Sequence, residues 1–238
     1  WANAAGQEGN PLSGFLFGSE SINLNIEDHT KEMMEKYSWT LPHWAYWSKS
    51  EYENKSELRK YLNKHQMGWD VTDFGKGIFH EQGITLFCIR NGIQGDANDK
   101  PYAEKLLFMQ EGQEIPFHSH KIKLEDIINR GGGDLAIEFL EVDEKGQELS
   151  NKINVLVDGE KILLDPHEPL ILKIGQSVTV ERNIFHRFYA VKGSGMVMAG
   201  EVSQVNDDNN DNYFLEPVGR FSEIQEDELP LHPLWNEI

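Results

Sequence analysis

The chain has 238 residues, 39% of them hydrophobic and 11% aromatic, enough apolar material for one substantial core with embellishments or two small ones. Its 40 Asp and Glu against 22 Lys and Arg give a net charge of -18, a surface that repels phosphate backbones and anionic headgroups, so nucleic acids and membrane surfaces make poor partners. No run approaches the roughly 18 apolar residues of a membrane span, and a single cysteine, Cys88, rules out an intramolecular disulfide.

Residues 1–9 lack the basic and apolar halves of a secretory signal, so the cytoplasm is the expected compartment, a removed leader ahead of Trp1 being left open. Residues 27–37 and 55–66 are polar with spaced apolar positions such as Met33, Met34, Tyr37, Leu58 and Leu62, the pattern of short surface helices. Between them, Pro42 interrupts a segment rich in aromatics, Trp44, Tyr46 and Trp47, better suited to packing than to a ligand platform. From Ile84 onward short β-rich runs alternate with Gly, Asp and Asn: 84–89, where Cys88 reads as a core residue, then 104–110, 135–141, 153–157, 161–164, 170–174, 177–181, 185–191 and 195–202. Asp158-Gly159 between two of these runs is a favoured two-residue hairpin turn. The polar run 206–212 lacks the glycine and terminal glutamate of a calcium loop and reads as a solvated loop. The expectation is a mainly β, antiparallel barrel or sandwich, with residues 1–80 as a helical and loop extension and 81–238 as the barrel.

The chemistry concentrates between Gly112 and Gly133. His118 and His120 are two apart, so on a strand both imidazoles leave the same face. Glu125 returns after a short turn, and Gly131 to Gly133 permit a sharp bend or a close backbone approach. His186 follows a turn and opens another predicted strand. Three imidazoles and a carboxylate suit a divalent transition metal and leave two adjacent positions on an octahedral ion for water or a bidentate substrate. His29, His43, His65, His80, His167 and His232 have no partner at ligand spacing and read as structural or exposed.

The spacing Gly112, five residues, His118, one, His120, four, Glu125, six, Gly132 resembles the first motif of the cupin superfamily at every fixed position, implying a jelly-roll barrel. The second motif is looser: Gly175 and His186 are in place, but Glu181, Asn183 and Ala190 stand where proline, glycine and asparagine are usual. Asparagine still reaches the left-handed conformation the turn needs. Further stretches are similar to the D-lyxose isomerase family: 41–47, 67–75, 102–105, 125–133, 186–188, 200–203 and the region from Val205 to Pro217. The resemblance runs from about Leu41 to Leu229. It implies a cupin barrel with peripheral N-terminal helices, a homodimer, and a divalent ion of the manganese type, with cobalt, iron, nickel or zinc as alternatives. The implied reaction interconverts D-lyxose with D-xylulose, and D-mannose with D-fructose, through a metal-stabilised cis-enediolate.

In that reading His118, His120, Glu125 and His186 are the metal ligands. Lys123, at the family's lysine position, orients or protonates a substrate oxygen. Glu216 is the first choice for the general base and Glu201 the second, with a supporting role beside a ligand histidine as Glu201's alternative. Asp211 and Arg220 are candidate sugar contacts, and Phe117 and Phe188 candidate pocket walls. The acidic surface suits a small neutral monosaccharide rather than a sugar phosphate. Two rival functions use the same ligands: a cupin dioxygenase holding iron or nickel, and a non-catalytic sugar-binding cupin.

Overall fold

The computed structural model describes residues 29–219 and 230–238. Its strands are β1 (Gly68–Thr72), β2 (Ile84–Arg90), β3 (Tyr102–Met109), β4 (Glu114–Ser119), β5 (Glu125–Gly132), β6 (Leu135–Leu140), β7 (Ile153–Val157), β8 (Glu160–Leu164), β9 (Leu170–Leu172), β10 (Ser177–Val180), β11 (Phe185–Ala190), β12 (Val197–Gln204) and β13 (Tyr213–Phe214). They form an eight-stranded sheet in the order β1-β2-β3-β12-β5-β10-β7-β8 and a five-stranded sheet in the order β13-β4-β11-β6-β9. The named strand pairs are antiparallel. The architecture is thus the expected mainly β cupin barrel.

Two cores follow from the alternation of side chains along the strands. On β3, Leu107 and Met109 enter the barrel core with Ile137, Leu172, Val178 and Val197. Their neighbours Leu106 and Phe108 face the other way, into a second core with Met34, Trp44, Leu62, Trp69 and Phe87. Both faces of β3 are therefore covered, which is why its sequence is a continuous apolar run instead of an alternating one.

Helices α1 (Lys31–Lys36), α2 (Lys49–Tyr52) and α3 (Ser56–Lys64) contribute to this second core. The start of α2 is fixed by a capping box between Ser48 and Glu51. The aromatic segment packs as a short 3-10 turn, His43–Tyr46, in which Ala45 accepts the Trp69 indole N–H at 2.7 Å. Cys88 is buried in the same core, its thiol pushed up to about 12 by burial. Positions 27 and 28 of the first expected helix lie outside the described residues. Among the described residues no helix is long and apolar enough to cross a membrane.

β1 has no counterpart in the sequence reading. Only Trp69 and Val71 mark it as apolar, and its pairing with β2 together with burial of those two side chains makes it a strand. The Asp158-Gly159 turn joins β7 to β8 with φ of 48° and 93°, the signs a two-residue hairpin loop of this type demands. Gly132 has φ 92°, and an added Cβ would lie 2.0 Å from the Met196 carbonyl oxygen, so only glycine closes β5 against the following chain.

The run 206–212 departs from a solvated loop: Asn206 and Asp211 are both buried. Their side chains hold partners far away in sequence rather than water, as shown next.

Candidate metal centre

Four strands or strand ends bring the predicted ligands together. His118 is on β4, His186 is its direct partner on β11, His120 lies one residue past the end of β4, and Glu125 opens β5. All four are buried, and one ligand atom from each lies within 4.8 Å of the others. The imidazole centroids of His118 and His186 are 4.2 Å apart and those of His118 and His120 are 5.2 Å apart.

Backbone carbonyls fix the imidazoles. Nδ1 of His118 donates to Pro116 O at 2.9 Å, Nδ1 of His120 to Asp211 O at 2.7 Å, and Nδ1 of His186 to Ile184 O at 3.2 Å. With the proton on Nδ1, each Nε2 carries a lone pair. Glu125 Oε1 lies 3.0 Å from His186 Nε2 and 3.3 Å from His120 Nε2. These three buried atoms have no hydrogen-bond partner. Lone pairs facing one another out of water repel unless a cation sits between them, so the donor set fits a divalent ion. Burial and the neighbouring imidazoles of His186 and His120 hold the His118 pKa well below its ordinary value, which keeps that ring neutral and able to ligate.

The loop carrying His120 is shaped by Asp211. Its carboxylate accepts the backbone N–H groups of Lys121 at 2.9 Å, Ile122 at 3.1 Å and Lys123 at 2.9 Å. Asp211, a candidate sugar contact in the sequence reading, is placed by these bonds as a shaper of the 121–123 backbone, and its carbonyl accepts the His120 Nδ1–H. Asn183 has φ 63° and donates its N–H to His120 O at 2.7 Å. It makes the left-handed turn into β11 at the position where glycine is usual.

Behind the cluster runs a line of buried charges. Lys123 Nζ lies 2.7 Å from Glu125 Oε2 and 2.8 Å from Glu201 Oε1. Lys105 Nζ lies 3.7 Å from Glu201 Oε2 and 3.6 Å from Asp208 Oδ1, and donates to Asn206 Oδ1 at 2.8 Å. Burial alone would raise the Glu125 carboxyl, but Lys123 together with His120 and His186 outweighs it, and the group lies well below its ordinary range. Burial likewise disfavours the Lys123 ammonium, yet Glu125 and Glu201 hold its pKa above the ordinary lysine value. Glu201 is also kept low, against burial, by Lys105 and Lys123.

The remaining predicted residues divide. Phe188 stacks parallel to His186 with centroids 6.3 Å apart. Phe117 instead projects from the opposite face of β4, against Arg187 and His167; adjacent strand residues point to opposite faces, so it cannot share the side of His118. Glu216 is exposed beyond β13, and Arg220 lies outside the described residues. Of the other histidines, His65 is structural, with Nδ1 on Tyr61 O and Nε2 on Asp99.

Sequence reasoning gave no site role to Lys105, Asn206, Phe74 or Phe214, which the structure places beside the cluster or next to residues beside it. Lys105 carried a signal, being the charged residue at the inward parity of an apolar strand. Phe214 lies 5.7 Å from both His118 and Phe74 between ring centroids. The Phe74 carbonyl accepts the N–H of Gly219 at 2.7 Å, and Lys76 reaches Pro217 O at 3.0 Å, tying the two rim segments together.

The sequence profile of the D-lyxose isomerase family matches residues 19–238. The D-lyxose/D-mannose isomerase of Escherichia coli O157:H7 is 38% identical over 215 residues, covering 90% of this chain and 95% of that protein. The protein of the same name from Serratia proteamaculans is also 38% identical, over 89% of this chain and 94% of its own length. Among solved structures, an L-ribose isomerase of Cellulomonas parahominis with L-ribose aligns at a TM-score of 0.48 and 16% identity over 74% of this chain and 96% of that one.

Proposed function

Because this chain belongs to the D-lyxose isomerase family and is a sugar isomerase acting as an aldose–ketose isomerase, we propose that it interconverts D-lyxose and D-xylulose, and D-mannose and D-fructose, through a cis-enediolate. The observation that carries this reading is the convergence of His118, His120, Glu125 and His186 on one point, with the facing atoms of His120, Glu125 and His186 lacking a hydrogen-bond partner. These four residues would hold a divalent ion, manganese in this reading. Such an ion supplies Lewis acidity toward the two adjacent sugar oxygens.

Isomerisation removes the weakly acidic proton on C2 and returns it to C1, while a second proton passes from O2 to O1. A carboxylate has to take and return the carbon-bound proton. Glu201 is the buried carboxylate beside Lys123, whereas Glu216 is exposed, so we assign the base to Glu201. Lys123, held between Glu125 and Glu201, presents an ammonium donor to the developing oxyanion and orients the sugar oxygens. Phe188, packed on His186, excludes water from that side. The same reading includes a homodimer located in the cytoplasm and a free, uncharged monosaccharide as substrate, consistent with a net charge of -18 that would disfavour sugar phosphates.

Removal of divalent metal with a chelator should abolish conversion of D-lyxose to D-xylulose, and added manganese should restore it. Full activity in metal-free protein would sink the reading.

A further inference from the structure

Lys105 is a buried ion that the proposed chemistry does not yet use. It lies on the inner side of β3 directly opposite Glu201 on β12, and only 4% of it is exposed. An ammonium taken out of water costs several kcal/mol unless its partners compensate. Here burial pushes the Lys105 pKa down, while Asp208 and Glu201 hold it above the ordinary lysine value. An apolar side chain of the same size would close the barrel at no greater cost, so closing the barrel does not by itself explain a lysine at this position.

The division of Glu201 between two cations does explain it. Oε1 receives Lys123 Nζ at 2.8 Å and Ser203 Oγ at 2.9 Å, while Oε2 faces Lys105 at 3.7 Å. Asn206 Oδ1 accepts Lys105 at 2.8 Å and also lies 3.4 Å from Lys123, which fixes the spacing of the two ammonium groups. Oε1 is thus the hydrogen-bonded oxygen, on the side of Lys123 and the ligand cluster, while Lys105 faces Oε2 as an ion pair beyond hydrogen-bond distance, so the carboxylate lies between two ammonium groups.

We propose that Lys105 is a positioning residue for isomerisation, acting through Glu201 by facing its Oε2 as an ion pair opposite Lys123 and so fixing where the carboxylate lies between the two cations. The inference rests on the assignment of Glu201 as the proton-transfer carboxylate. The charged and titratable groups around Glu201 are Lys105 on β3, Lys123 and Glu125 at the start of β5, and Asp208 after β12. Asp70 on β1 lies beyond Asp208, and Cys88 on β2 faces Lys105 as a protonated thiol.

The test uses the full chain loaded with manganese, assayed with D-lyxose across pH. Lys105→Met should lower kcat about ten- to a hundredfold, leave KM within about threefold, and move the acid limb of kcat/KM up by about one pH unit. Lys105→Arg should recover part of that loss. In a Glu201→Gln background, Lys105→Met should cost nothing further, because a residue acting only through Glu201 has nothing left to position. Losses that multiply in the double variant, or a Lys105→Met protein with the kcat and pH profile of the unmodified protein, overturn the inference. If Lys105→Met fails to fold or to retain manganese, Asp208→Asn provides the reverse test. It removes the anion competing for Lys105, so the acid limb should move down, and an unmoved limb counts against the proposal. An unmodified, manganese-loaded protein inert toward a panel of aldoses would overturn the functional reading as well, whereas an active one with unaffected Lys105 variants overturns only the positioning role.

Discussion

The two ends of the barrel interior are built from the same strands and have opposite chemistry. Along β12, Val197 and Ala199 belong to the apolar core, while Glu201 and Ser203 are buried polar residues two and four positions on. On β11 the change comes between Phe188 and His186, on β5 between Ile127 and Glu125, and on β3 between Leu107 and Lys105. Strand alternation decides which side chains point inward, and distance along the strand decides whether they meet hydrocarbon or ions. Polar residues so placed cost folding energy, so their accumulation at one end sets the candidate metal centre apart from the packing that holds the barrel together.

The comparison can be broken most severely at the polar end. His186→Ala removes an imidazole at the heart of the cluster and should reduce kcat at least about a thousandfold with loss of bound metal, measured by metal analysis alongside the assay. At the apolar end, Leu135→Ala should cost about 2–5 kcal/mol in denaturant unfolding and leave kcat of the folded fraction unchanged; a comparable loss of kcat would erase the distinction between the ends. Asp211→Ala frees the 121–123 amides and should weaken metal binding about 10- to 100-fold, read by metal titration, with a smaller effect on unfolding. The smallest effect is expected at Asp70, whose carboxyl is pushed up to about 6 from 3.8 by burial and by Asp208. The folded state then holds this proton better than the unfolded chain between those two values, so stability from this group is lost as pH rises through about 6. Asp70→Asn should accordingly stabilise the protein by about 1–2 kcal/mol at pH 7 and give no gain at pH 4 in urea melts.

Legibility from sequence followed the range of the interactions. Periodicity marked most strands, and the Asp158-Gly159 turn was readable because its backbone requirement is local. The cluster of His118, His120, Glu125 and His186 was readable because three of them fall within Gly112 to Gly132 and His186 follows a recognisable turn. Asp211 was visible as a candidate, but its loop-shaping bonds were not: nothing in its own segment shows that three amides more than 85 positions earlier would bond to its carboxylate. The side taken by Phe117 follows from a simpler rule, since adjacency to His118 on a strand means the opposite face. β1 escaped because two apolar residues are too few to establish a period, and its identity comes from pairing with β2.

The rim contacts have a kinetic corollary. Lys76 and Pro217 are 141 positions apart, with Phe74 and Gly219 slightly farther apart on either side of them, and contacts of such long sequence separation form late because their loop closure is not rewarded until the intervening chain has folded. The 74–76 and 217–219 segments should therefore dock after the sheets have zipped, so that in refolding the cluster side chains gather before these two segments are joined.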